Sequence, residues 1–127
     1  MNYKVHISKP AKLDIKNAIK YIVNVLKNPT AANHLLQKAE TGIASLSIMP
    51  QRCALANDSV LSSWGIRSLM IENYIAFYQI DETTQTVHIL RFLYKKSDWK
   101  NILKFDNGHY DNDLFLTKNT SILSDVK

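Results

Sequence analysis

The 127-residue chain has one cysteine, three glycines and three prolines. Cys53 alone forms no internal disulfide and brings no second thiol to a metal cluster, so neither kind of staple holds the fold. It reads as a reduced thiol in a loop, or as a nucleophile if a histidine is brought to it. At this length one domain buries a real core without such support. No apolar run is long enough to span a membrane, and the opening MNYKVHISKP lacks the apolar centre of a signal peptide. A cytoplasmic protein with no membrane partner is the expectation. There is no P-loop, no GxGxxG, no HExxH and no Ser/His/Asp frame, and His6, His34, His88 and His109 stand without ligand spacing. The expected metal and cofactor complement is none.

Charge is unevenly spread. Residues 1–103 carry 13 Lys and Arg against 7 Asp and Glu, whereas 104–127 carry 3 against 4. A basic body of this kind attracts phosphate backbones or an acidic protein.

What the chain has in quantity is strand-forming residues between positions 65 and 99. Three runs, 66–71, 74–80 and 86–94, are rich in β-branched and aromatic residues and are separated by polar breaks. Two short connections in succession make neighbouring strands antiparallel, because a parallel return needs a crossover of a dozen or more residues. The break Glu72-Asn73 has no glycine, and Asn73 is the residue expected to adopt the left-handed conformation of a tight turn. In the last strand simple alternation sends Val87, Ile89, Arg91 and Leu93 to one face and His88, Leu90, Phe92 and Tyr94 to the other. Both faces are mainly apolar, which describes a central strand.

Before this meander, Tyr3, Val5 and Ile7 alternate with Lys4 and His6 as a half-buried strand over 3–7. Ser8 caps a helix over 9–27, with Pro10 tolerated in its first turn. Ile15, Ala18, Ile19, Ile22 and Leu26 supply its apolar face. Lys12, Lys16 and Lys20 stripe the opposite side, as a solvated face or as a contact to nucleic acid. Asn28-Pro29 ends this helix and begins a second over 29–49, in which Gly42 marks a weak point or a close approach. Residues 50–63 read as a surface loop with one short helical turn. Ser97 or Asp98 caps a short helix through Leu103, and 104–127 reads as a polar tail, flexible or ordered by a partner. The expected fold is α+β, β-α-α-β-β-β, with a helix hairpin packed on a twisted antiparallel sheet and a short C-terminal helix.

Taken together, YKVHISKPAKLDIKNAIKYI, SLSIMPQR, GIRSL, ENYIAFYQID and TVHILRFLYKKSDW resemble, over residues 3 to about 103, the RelE/ParE toxins of bacterial type II toxin–antitoxin modules. The resemblance implies a growth inhibitor silenced by a cognate antitoxin whose flexible arm wraps it. It implies one of two targets. RelE-like members cleave mRNA in the ribosomal A site with lysine, arginine and tyrosine side chains, and ParE-like members bind DNA gyrase. The arginine expected in the nuclease's middle strand falls at Ile75, and the expected lysines fall at or near Ile66 and Ser68. Lys96 matches the basic residue after the last strand, and only Trp99 lies near the C-terminal tyrosine position. This pattern leans toward a gyrase inhibitor, with an mRNA endonuclease and a non-toxic antitoxin- or nucleic-acid-binding module as alternatives.

For a nuclease the candidate catalytic set is His88, Arg91, Tyr94 and Lys96. For target binding it is Arg67, Arg91, Lys95 and Lys96. Arg67 and Arg91 also fit a structural role, stems buried and heads near acceptors. His88 fits packing as well as proton transfer. Trp99 fits a core anchor for the last helix.

Overall fold

The computed structural model describes residues 2–114. Up to Ser97 the elements run β1 (Lys4–Ile7), α1 (Lys9–Asn24), α2 (Pro29–Ala44), two 3-10 turns (Ser45–Ser47 and Pro50–Arg52), α3 (Ser59–Ser63), β2 (Arg67–Ile71), β3 (Tyr74–Asp81) and β4 (Thr86–Tyr94). The sheet order is β1-β4-β3-β2. The meander is antiparallel as expected, but β1 pairs parallel to β4, so the sheet is mixed rather than wholly antiparallel. The helix hairpin between β1 and β2 is a crossover long enough to permit that direction. β4 is therefore an inner strand, between β1 and β3.

Local chemistry sets the helix ends. The Ala11 amide donates to the Ser8 hydroxyl at 3.1 Å, and the Ala31 amide to the Asn28 side chain at 3.1 Å. α1 stops at Asn24, short of position 27, because Lys27 turns left-handed with φ 54° before Asn28 caps α2. α2 likewise yields to a 3-10 turn at Ser45, and Arg52 holds that turn by donating to the Ser45 and Ile48 carbonyls. In the first hairpin Glu72, not Asn73, takes the left-handed conformation, with φ 55°. The 50–63 region holds α3, whose first amides donate to the Asp58 carboxylate.

One face of the sheet packs under α1 and α2. Ala18 and Ile22 of α1 and Leu35, Ala39 and Ile43 of α2 meet Ala76, Tyr78, Val87, Ile89 and Phe92. Gly42 marks a close approach of α2 to β2. A Cβ there would lie 3.4 Å from Ile71 Cδ1 and 3.5 Å from Leu69 Cδ2. Ile75, Phe77 and Leu93 are buried outside that cluster, as are Ala56, Leu61 and Ile66.

The two inner strands are out of step at one place. Tyr78 faces Ile89 and Phe77 faces Arg91, leaving Leu90 as an extra residue in β4. This bulge overturns the simple alternation expected for β4. Val87, Ile89 and Phe92 all join the helix-side cluster, and Arg91 no longer follows Val87 and Ile89.

The segment after Ser97 forms its own unit, with α4 over Trp99–Leu114. Asp98 precedes it, and its carbonyl accepts the Ile102 amide at 3.1 Å, the first bond of the helix. The helix continues past Leu103, where it was expected to end; of the 104–127 tail, 115–127 lies outside the described residues. None of the helices among the described residues is long and apolar enough to cross a membrane.

Candidate functional site

Cations on the strands divide into those tied inside the fold and those left at its edge. Arg91 is tied. Its Nε donates to Asp14 Oδ2 at 2.7 Å and its Nη2 to Asp14 Oδ1 at 2.9 Å, a two-point pair with a carboxylate on α1. The Phe92 amide donates to the same Oδ2 at 3.0 Å. β1 ends at Ile7, so beyond it the exposed edge of β4 would lack partners, and α1 supplies them instead. Ser8 donates to the Leu90 carbonyl at 2.9 Å, and Asp14 receives Phe92. Asp14 escaped the sequence reading. Its one signal is that it is the sole acid in a helix with four lysines.

Arg67 is tied as well. Its Nη1 donates to the carbonyls of Cys53 at 2.6 Å and Gln51 at 3.2 Å, holding the loop before α3 against β2. Beside it the buried Tyr78 donates its hydroxyl to the Pro50 carbonyl at 2.6 Å. Burial, then the neighbouring Cys53, pushes this phenol up, so it stays a donor at any ordinary pH. Gln51 reaches further, donating to both Tyr3 and Glu82, while Tyr3 donates to Glu82 at 2.7 Å. Those two bonds hold the Glu82 carboxyl below its usual range, the one from Gln51 most.

Lys95 and Lys96 differ. They follow β4 directly, and both are exposed. The Lys95 amide donates to the Asn73 carbonyl at 2.8 Å, fixing the turn, and among the described residues neither ammonium has an ionic partner. The same end of the sheet carries an aromatic cluster, since Tyr74 pairs with Tyr94 just before Lys95. Tyr74 stacks on Phe92 at 5.1 Å with an interplanar angle of 4°, and meets Tyr94 edge-on at 5.6 Å. Tyr94 is 44% exposed, and Tyr21 of α1, 50% exposed, is close enough to Tyr74 for its hydroxyl to act on it. Burial is the main reason that the Tyr74 phenol titrates high, with Tyr94 and Tyr21 adding to it. The Tyr74 hydroxyl therefore donates a hydrogen bond rather than acting as a base. Exposed rings beside ammonium groups stack on bases or apolar side chains and attract phosphate or carboxylate. Tyr21, Tyr74 and Phe92 were not among the residues expected here, because only folding brings α1 to the end of the sheet.

The expected catalytic set is not brought together. His88 faces Gln79 and alternates with the helix-side Val87 and Ile89, so it lies on the face turned away from α1 and α2. Tyr94 faces Tyr74, which packs on the helix-side cluster. The Leu90 bulge thus puts His88 and Tyr94 on opposite faces, where unbroken alternation placed them on one. His88 meets His6 of β1 instead, ring centroids 5.6 Å apart. Among the described residues no three His, Cys, Asp or Glu side chains gather to hold a metal.

A family model described as ParE toxin of type II toxin–antitoxin system, parDE, matches residues 5–99. The chain belongs to this family. It is a toxin of the RelE/ParE superfamily, as the strand and turn motifs implied. No curated protein matches the chain. Among solved structures, the chromosomal ParDE system of P. aeruginosa aligns with TM-score 0.59 and 20% identity over 72% of this chain and 95% of that one. The RelBE2 toxin–antitoxin complex of Mycobacterium tuberculosis aligns with TM-score 0.53 and 21% identity over 76% and 95%. At such identities the likeness is one of fold, and it extends to both branches of the superfamily.

Proposed function

We propose that the free protein stops bacterial growth by binding DNA gyrase through the end of its sheet, and that a small antitoxin protein silences it. The observation that carries this reading is the dispersal of the groups a nuclease would need. A general base has to come within about 3 Å of the proton it takes. His88 and Tyr94 occupy opposite faces and Arg91 is held by Asp14, so among the described residues these groups do not converge as base, acid and phosphate clamp on one point. The end of the sheet, with exposed Tyr94 and with Lys95 and Lys96 unpaired among the described residues, has the character of a contact surface. An antitoxin partner is supported by the two solved relatives, each named as part of a toxin–antitoxin system.

The test expresses the protein briefly in a bacterial host and follows gyrase–DNA cleavage complexes and mRNA 5′ ends in one culture. Accumulating complexes with intact message support gyrase as the target. New in-frame mRNA cuts without complexes move the protein to ribosome-dependent mRNA cleavage. Harmless expression would leave a non-toxic binding module on the same fold.

A further inference from the structure

Two histidines that the sequence keeps far apart become direct neighbours in the sheet. His6 of β1 and His88 of β4 are paired in the parallel register. Both lie on the face away from α1 and α2, because Val5, Ile7, Val87 and Ile89 around them belong to the helix side. Their rings stand 5.6 Å apart between centroids at an interplanar angle of 71°. Among the described residues neither imidazole has a hydrogen-bond partner, although His88 is half-buried. The neighbourhood is polar. Gln79 faces His88 across β3, its side-chain amide held by the Trp64 carbonyl at 2.9 Å, and Asp81 acts on His88 from the same strand.

We propose that His6 and His88 form a two-imidazole site for a divalent transition ion of the zinc, nickel or copper type. Metal–nitrogen bonds of about 2.0–2.1 Å to two rings on one tetrahedral ion place the ring centroids roughly 5–6 Å apart. The pair already has that separation. What it requires is a turn of one ring from its edge-on position, so that a nitrogen of each points at the same ion. Imidazole ligands favour zinc, nickel and copper and disfavour magnesium and calcium, which take oxygen. Water completes the coordination shell in the isolated protein, and that leaves positions a partner's side chain can fill. Bound metal bridges an outer strand to an inner one. β1 is held to β4 over four residue pairs, so an ion across His6 and His88 fastens the N-terminal strand to the sheet.

The experiment uses the full chain carrying Cys53→Ser, which removes the one competing thiol, and titrates it with copper sulfate and zinc chloride. A site of this kind gives a copper EPR spectrum with nitrogen ligation and a zinc-dependent rise in melting temperature that magnesium does not produce. His6→Gln weakens binding at least tenfold and His6→Gln/His88→Gln abolishes it, while His34→Gln/His109→Gln keeps it. His6 is exposed, so its single variant remains informative if the double variant fails to fold. Copper binding undiminished in His6→Gln, or lost only in the His34/His109 variant, overturns the assignment. An equal melting shift with magnesium overturns it too.

Discussion

The middle and the end of β4 carry the same kind of charge in opposite circumstances. In the middle, Arg91 is clasped by Asp14, with side chains only 21% and 12% exposed. At the end, Lys95 and Lys96 stand in solvent directly after the exposed Tyr94. A guanidinium drawn into a sheet has to bring its carboxylate with it, because a half-buried unpaired charge costs more than the strand returns. Two ammonium groups beyond the strand need no partner, and their cost to the fold is small. The first kind of cation is built into the fold, and the second is the kind we propose for recognition. Removing each should separate the two roles.

The strongest break is Asp14→Ala. It strips Arg91 of its carboxylate and the Phe92 amide of its acceptor together. Partly buried as the pair is, the loss should be about 2–3 kcal/mol, read as a lowered urea midpoint. Arg91→Met leaves the Asp14 carboxylate with the Phe92 amide still donating to it, and should cost less than Asp14→Ala, which breaks both interactions. A larger cost for Arg91→Met would mean that its other contacts outweigh the ion pair.

Next comes Tyr78→Phe, which leaves the Pro50 carbonyl without its donor in a buried position. About 1–2 kcal/mol should be lost, with faster hydrogen exchange in the loop that Tyr78 and Arg67 hold. Unchanged stability would show that water replaces the phenol there.

Legibility in the sequence follows the range over which each feature is decided. Ser8, Asn28-Pro29 and the three meander strands are local, and their boundaries fall within a residue or so of expectation. The Leu90 bulge carries no glycine or proline to mark it, and it sits in a run apolar on both faces, where neither period nor composition shows a slip. Its effect spreads to every later residue of β4, and so the expected pairing of His88 with Tyr94 failed along with the place assigned to Arg91. The direction of β1 and the Asp14 clasp depend on how the helix hairpin returns to the sheet, which no local pattern encodes. Glu72 in place of Asn73 is a different case. Both residues were in the turn, and the geometry of the hairpin chose the one with the lower intrinsic preference.

A smaller effect should come from His88. Its titration is lowered from the ordinary 6.5 mainly by burial, so the folded state holds fewer protons than the unfolded one below that pH. Stability is therefore complete above pH 6.5 and declines as the pH falls from there toward the lower folded value. His88→Gln should flatten this part of the curve of melting temperature against pH. Persistence of the same slope in His88→Gln would assign it to another group.

The smallest change in stability should come from Lys95→Ala/Lys96→Ala, and it is the variant that tests the other half of the comparison. Both side chains are exposed and, among the described residues, make no bond that the fold uses; the Lys95 contact to Asn73 is through the backbone and survives truncation. Unfolding free energy should move by less than about 0.5 kcal/mol, within the range of ordinary surface changes. Growth inhibition should fall all the same, because the ammonium groups attract an anionic target over a distance that stability does not sense. Since surface charge acts through a screened field, added salt should weaken target binding by the wild type more than by the double variant. A stable double variant that inhibits growth as strongly as the wild type would remove the sheet end from the target contact and leave its tyrosines as packing alone.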